Sequence, residues 1–238
     1  MNRSILIAAI ASLGLPLVSG AVTIDDFSTS QSVQINAGPP NPQTAASGGL
    51  AGEAIGGTRE IVLERTSGFG IAFADASLSG PGLFSLSTGA GVLATSILLY
   101  DGTADGNVDP AGLGGVSVVS GGEVLLRVIA RSDLDANIRV QFHSGSASDY
   151  LFANIALPGS GTGSGPFQIL DVPLGSLGTV GAGANLASLG AIVAIFSGPA
   201  SVDLQVDSIQ TIVPEPASLA LLGLGLVGLA AAGRRRIA

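Results

Sequence analysis

Between residues 22 and 213 no stretch of useful length repeats its apolar residues at helical spacing; short runs alternating apolar and polar recur instead. Residues 137–143 show it best: Ile138, Val140 and Phe142 fall on one face, and Asn137, Arg139, Gln141 and His143 on the other. Glu123, Arg127 and Arg131 likewise share a face opposite Val124, Leu126 and Val128. Half-buried antiparallel strands read this way. Further β-rich runs lie at 22–27, 60–65, 69–74, 83–87, 92–100, 150–157, 167–172, 191–196 and 202–212, with Gly, Pro, Ser and Asp between them. No fixed-period repeat accompanies them. The pattern predicts one all-β domain, an antiparallel β-sandwich of jelly-roll type. Three stretches read as connections: 36–57 with Pro39, Pro40 and Pro42, 159–166, and 175–189 with a helical turn near 184–188.

Charge and cysteine content exclude several function classes. Between the two ends, five arginines face sixteen carboxylates, a formal charge of −11. That excess repels phosphate, so nucleic acid is not an expected partner. The absence of Cys removes disulfides, thiolate catalysis and Cys-ligated zinc. An exported chain without disulfides relies on core packing or a bound metal.

The ends have a different grammar. Residues 1–21 carry Arg3, an apolar run at 5–13, helix breakers at Gly14 and Pro16, and small residues at Ser19, Gly20 and Ala21. This predicts a secretory signal-peptide helix, read by the Sec translocon and cut by signal peptidase after Ala21. The sandwich body is assigned to 22–213. At the other end Pro214, Glu215 and Pro216 precede 217–233, a run without charge. As a helix it would span ~25 Å, the short end of a transmembrane segment. Arg234, Arg235 and Arg236 follow at once and hold that side in the cytoplasm, with the body outside.

The tripartite order over 214–238 resembles the PEP-CTERM sorting signal of Gram-negative bacteria that make exopolysaccharide. The resemblance implies processing near the Pro-Glu-Pro by exosortase, an integral-membrane cysteine transpeptidase. The chain would be held transiently in the inner membrane, body periplasmic and C-terminus cytoplasmic, then pass to the cell surface or extracellular matrix. The two prolines keep the segment extended and out of the helix, which suits a peptide presented to an active site.

Two segments of the body place paired polar residues between apolar ones: Ile24-Asp25-Asp26-Phe27 and Val206-Asp207-Ser208-Ile209. Alternation slips by one in each, as a β-bulge causes. Together with Gly57-Thr58-Arg59-Glu60 they resemble carbohydrate-binding-type jelly rolls of galactose-binding-like topology. The resemblance implies that the first and last strands lie side by side. Asp25, Asp26, Asp203 and Asp207 would then converge, and the metal they suit is a structural Ca²⁺.

A second acidic segment holds Asp101, Asp105, Asn107 and Asp109. Oxygen ligands at alternate positions can wrap Ca²⁺, and the same residues are ordinary turn formers. The helix–loop–helix calcium pattern fails at Pro110 and Val116. No catalytic residue stands out: His143 is the single histidine, expected at the surface, and nothing nominates a nucleophile for it. Trp is absent, Tyr occurs only at 100 and 150, and Phe69, Phe73, Phe84, Phe142 and Phe152 are expected in the core. The expectation is a non-enzymatic exported surface or matrix protein. The rivals are a calcium-stabilised carbohydrate-binding module for exopolysaccharide, and a glycoside hydrolase or lyase using two carboxylates.

Overall fold

The computed structural model describes residues 21–38, 43–76, 82–119, 123–161 and 165–214. Residues 1–20 of the expected signal peptide (1–21), and Glu215, Pro216, the apolar run and the arginine cluster, lie outside the described residues. Residues 21–214 form one compact unit. Its strands are β1 (Val22–Asp25), β2 (Gln31–Ile35), β3 (Gln43–Leu50), β4 (Thr58–Ser67), β5 (Ala72–Ala76), β6 (Phe84–Thr88) and β7 (Leu93–Tyr100). They continue as β8 (Leu125–Ser132), β9 (Ala136–His143), β10 (Tyr150–Leu157), β11 (Gln168–Pro173), β12 (Gly178–Val180), β13 (Ala191–Ser197) and β14 (Asp203–Ile212).

All pairings are antiparallel, and the strands form two sheets. Sheet A runs β11-β8-β14-β6-β5-β2, with β1 added beside β14; sheet B runs β12-β10-β9-β13-β7-β4-β3. β1 and β6 share one edge of β14, β6 against 203–206 and β1 against 209–211. The first and last strands therefore lie side by side.

Alternation decides which side chains fill the space between the sheets. Ala72, Ala74, Phe84, Leu86, Leu126, Val128, Leu204 and Val206 of sheet A are buried. So are Ile61, Leu63, Leu98, Ile138, Val140, Phe142, Ile155 and Phe196 of sheet B. Phe84 stands between Phe27 and Phe196, with ring centroids at 5.7 and 4.9 Å, so aromatic contacts join the sheets. Both bulges are present. The register slips between Thr23 and Asp25 and between Val206 and Ser208, which leaves Asp207 outside while Val206 and Ile209 both point in.

Three strands go beyond the sequence reading. The connection assigned to 36–57 contains β3, paired along its whole length with β4. Its Ala, Ser and Gly residues carry no apolar alternation, and backbone pairing at a sheet edge holds it. β2 is short and half polar, and β12 spans three residues of the 175–189 connection, whose one-turn 3-10 helix sits at Leu174–Ser176. The aromatic assignment also needs correcting. Phe84 and Phe142 are core, but Phe69 is 65% exposed in a turn, and Phe73 and Phe152 stand on outward positions of β5 and β10. Tyr100 is fully buried rather than a surface platform.

Candidate functional site

The chain enters and leaves the sandwich at one end of sheet A. Val22 pairs with Thr211, and β14 stops at Ile212, three residues before Glu215. Val213 packs against the core and Pro214 is exposed. The segment containing Pro214-Glu215-Pro216 thus follows the folded body with no linker.

Asp25, at the end of β1, lies between the sheets with no exposed surface. Arg59, on β4 of the opposite sheet, is equally buried and places Nη1 at 3.0 and 2.8 Å from the two carboxylate oxygens. The same Nη1 stands 3.4 Å from Glu53 Oε1, Nε donates to Gln31 Oε1 at 3.0 Å, and Nη2 donates to the Thr29 carbonyl. Tyr100 donates its hydroxyl to Asp25 Oδ2 at 2.8 Å, and the Phe27 amide donates to Oδ1. Burial pushes the Asp25 carboxyl above the usual carboxylate range, opposed by the Arg59 charge. Burial also carries the Tyr100 hydroxyl well above its ordinary value, and the Asp25 charge adds to it. Burial acts on Glu53 in the same upward sense, but hydrogen bonds led by Thr29, with Arg59, outweigh it and hold that carboxyl low.

Among the described residues, Asp25, Asp26 and Glu53 are the group of three carboxylates whose oxygens lie within 4.8 Å of one another. The guanidinium of Arg59 already supplies the positive charge there. The other two aspartates of the expected quartet lie elsewhere. Asp207 is exposed at the bulge, and Asp203 opens β14 beside Ser87, ~20 Å along the strand from Ile209, the partner of Asp25. Sequence alternation flagged Asp25 but could not find Arg59, Glu53 or Tyr100 as its partners, because they come from other strands and connections.

The 101–109 segment organises itself through carboxylate–amide bonds. Asp101 Oδ1 accepts from Thr103 N–H and Oδ2 from Asp109 N–H, both at 2.9 Å. Asp105 Oδ1 accepts from Asn107 N–H, and Asp109 Oδ1 from Ala111 N–H. The bonds to Thr103, Asn107 and Ala111 are side-chain turns of the Asx kind, and the bond to Asp109 closes the loop across eight residues. Gly106 N–H then donates to Glu60 Oε2 at 2.8 Å, pinning the loop over one end of sheet B.

The outward side of sheet B carries the second cluster. Register places Tyr150 beside His143, Phe152 beside Gln141 and Asn154 beside Arg139. The Arg139 guanidinium lies 4.3 Å from the Phe152 ring centroid and 5.7 Å from that of Tyr150, and Nη2 donates to the Tyr150 hydroxyl at 3.3 Å. His143 takes the outward position expected of it yet is only 2% exposed, because Tyr150 covers its ring at 4.9 Å. Burial holds its pKa below the ordinary histidine value. Val62, Ile97 and Ile195 continue this face as a half-buried apolar strip.

The family described as the PEP-CTERM protein-sorting motif matches residues 213–236. The chain carries this sorting signal. The PEP-CTERM segment therefore begins at the residue after β14, so the signal and the last strand of the sandwich are contiguous. No curated protein sequence matches the chain. Among solved structures, the chain is similar to the family 11 carbohydrate-binding module from Clostridium thermocellum in complex with a β-1,3-1,4-mixed-linked tetrasaccharide. Identity is 12%, coverage 82% of this chain and 96% of that one, and the TM-score 0.38. A family 61 module in complex with β-1,4-galactotriose is similar at 10% identity, covering 78% of this chain and 89% of that one, with TM-score 0.33. The PEP-CTERM motif marks an exported protein processed by exosortase and destined for the surface or the extracellular space. Among the described residues no helix is long and apolar enough to cross a membrane.

Proposed function

We propose that this is a non-enzymatic surface or extracellular-matrix protein whose body is carried through the inner membrane and released by processing at its PEP-CTERM segment. The observation that supports this reading most directly is the sorting motif at 213–236, joined without a linker to a complete sandwich. In this reading a signal peptide over residues 1–21 starts export, and residues 217–233 form a temporary anchor with Arg234, Arg235 and Arg236 on the cytoplasmic side. Of the carboxylates that sequence suggested for calcium, Asp25 is engaged by Arg59 and Asp101, Asp105 and Asp109 by backbone amides, and a metal-free body is part of the proposal. Replacing Pro214, Glu215 and Pro216 by alanine tests it. Fractionation should find the body retained in the membrane, and release at the normal rate would show the segment to be an anchor only.

A second reading, binding of exopolysaccharide, is favoured by the Arg139–Tyr150–Phe152 cluster. Sugar rings pack their C–H faces on aromatic rings, while an arginine offers several donors to their hydroxyls. Affinity electrophoresis of wild type and Arg139→Ala in gels containing the producing cell's polysaccharide checks this; equal mobility with and without polysaccharide removes it.

A further inference from the structure

The outward side of sheet A, on the sheet opposite the Arg139 cluster, carries a groove of about 340 Å³ formed by β5, β6 and β14. Strand register lays its polar residues out in two rows. Asp75, Ser85 and Gln205 stand across the three strands in one, and Phe73, Ser87 and Asp203 in the other. Most of these groups have assigned work. Ser87 donates its hydroxyl to Asp203 Oδ1. Arg131 Nε donates to Gln205 Oε1 at 2.8 Å, which leaves the amide NH₂ as the donor end of that side chain. Ser85 differs: it is 5% exposed, and its hydroxyl has no hydrogen-bond partner. Buried hydroxyls are nearly always satisfied, and an orphan lining a groove calls for a partner from outside the chain.

The lining selects the chemistry of that partner. An anion meets Asp75 and Asp203. An ammonium ion suits those carboxylates and can donate to the Ser85 hydroxyl, but offers no acceptor to the Gln205 amide. A neutral polyol satisfies both sets, because each hydroxyl donates to a carboxylate and accepts from a hydroxyl or amide. The Phe73 ring adds an apolar edge, and the volume falls within the range of small-ligand sites, about 300–1,000 Å³. We infer that this groove binds a neutral sugar residue, with Ser85 Oγ and the Gln205 amide donating to its oxygens and Asp203 accepting from its hydroxyls. The site lies on the sheet opposite the Arg139 cluster and does not depend on it.

The test is calorimetric titration of the full chain, purified in a detergent without a sugar head group, with cellohexaose, xylohexaose, mannohexaose and galactotriose. At least one should bind, and Ser85→Ala should weaken that binding by about 10-fold or more, as loss of a buried donor does. Because the substitution removes an unpaired hydroxyl, the melting temperature without sugar should stay level or rise. Absence of binding by all four sugars overturns the inference, leaving Ser85 with water alone. Binding that Ser85→Ala leaves intact overturns it too, and if Arg139→Ala abolishes that binding the sugar sits on sheet B.

Discussion

Arg59 of β4 and Asp25 of β1 meet between the two sheets with neither side chain exposed, Nη1 standing 2.8 Å from Oδ2. The pair ties the first strand of the chain to the sheet it does not belong to. Arg59→Met leaves the Asp25 carboxylate buried without its counter-charge, and the expected loss is about 3–5 kcal/mol. Adding Asp25→Asn should cost much less than it does alone, since the charge it neutralises is already unpaired. Urea denaturation of the two single variants and the double variant measures this, and strict additivity would show the residues to be uncoupled.

Arg59 also bears on calcium. With a guanidinium between Asp25 and Glu53, a divalent ion would meet a fixed positive charge. Addition of a chelator is therefore expected to leave the melting temperature unchanged. A drop on chelation, restored by Ca²⁺, would point to a metal bound to the native state.

His143 gives the body an acid-sensitive contact. Its pKa is lowered by burial, so between that value and the unfolded value near 6.5 the unfolded chain binds more protons than the native one. Its contribution is complete above the unfolded pKa and is lost as pH falls towards the lowered one. The neighbours on its face are Tyr150, Gln141 and Arg139, none of which offers a carboxylate to offset protonation. Asp25, with its raised pKa, acts in the opposite sense at lower pH. His143→Gln should flatten the fall in melting temperature between about pH 7 and pH 5; an identical slope removes the histidine as its source.

Gly190 reports on the loop that covers one end of sheet B. A Cβ there would lie 1.6 Å from the Pro110 carbonyl oxygen, and backbone cannot swing aside as a side chain does. Gly190→Ala is expected to cost about 1–3 kcal/mol, with the 101–119 loop displaced. Gly175→Ala, with open space around the added carbon, should stay within about 0.5 kcal/mol. Thermal melts of the two variants make the comparison.

The sandwich was legible where strands alternate. Residues 137–143 and 202–212 announced their faces, and even the two bulges could be read from paired polar residues. β3 was hidden because Ala, Ser and Gly carry no signal of burial. Asp25 could be singled out but not explained, since Arg59, Glu53 and Tyr100 reach it through tertiary pairing rather than spacing. Phe73 and Phe152 look like core residues by type, and only strand parity turns them outward. Ser85 is one serine among many in the sequence. Its significance lies in what fails to contact it.

The pairing of β14 with β8, β6 and β1 sets the timing of assembly. A chain crossing a membrane from its N-terminus delivers β14 last, immediately ahead of the sorting signal. Sheet A lacks its central strand until then, and such distant pairings form slowly. In the proposed export route the body would thus close only as the signal reaches the membrane, so that completion of the fold and readiness for processing would coincide.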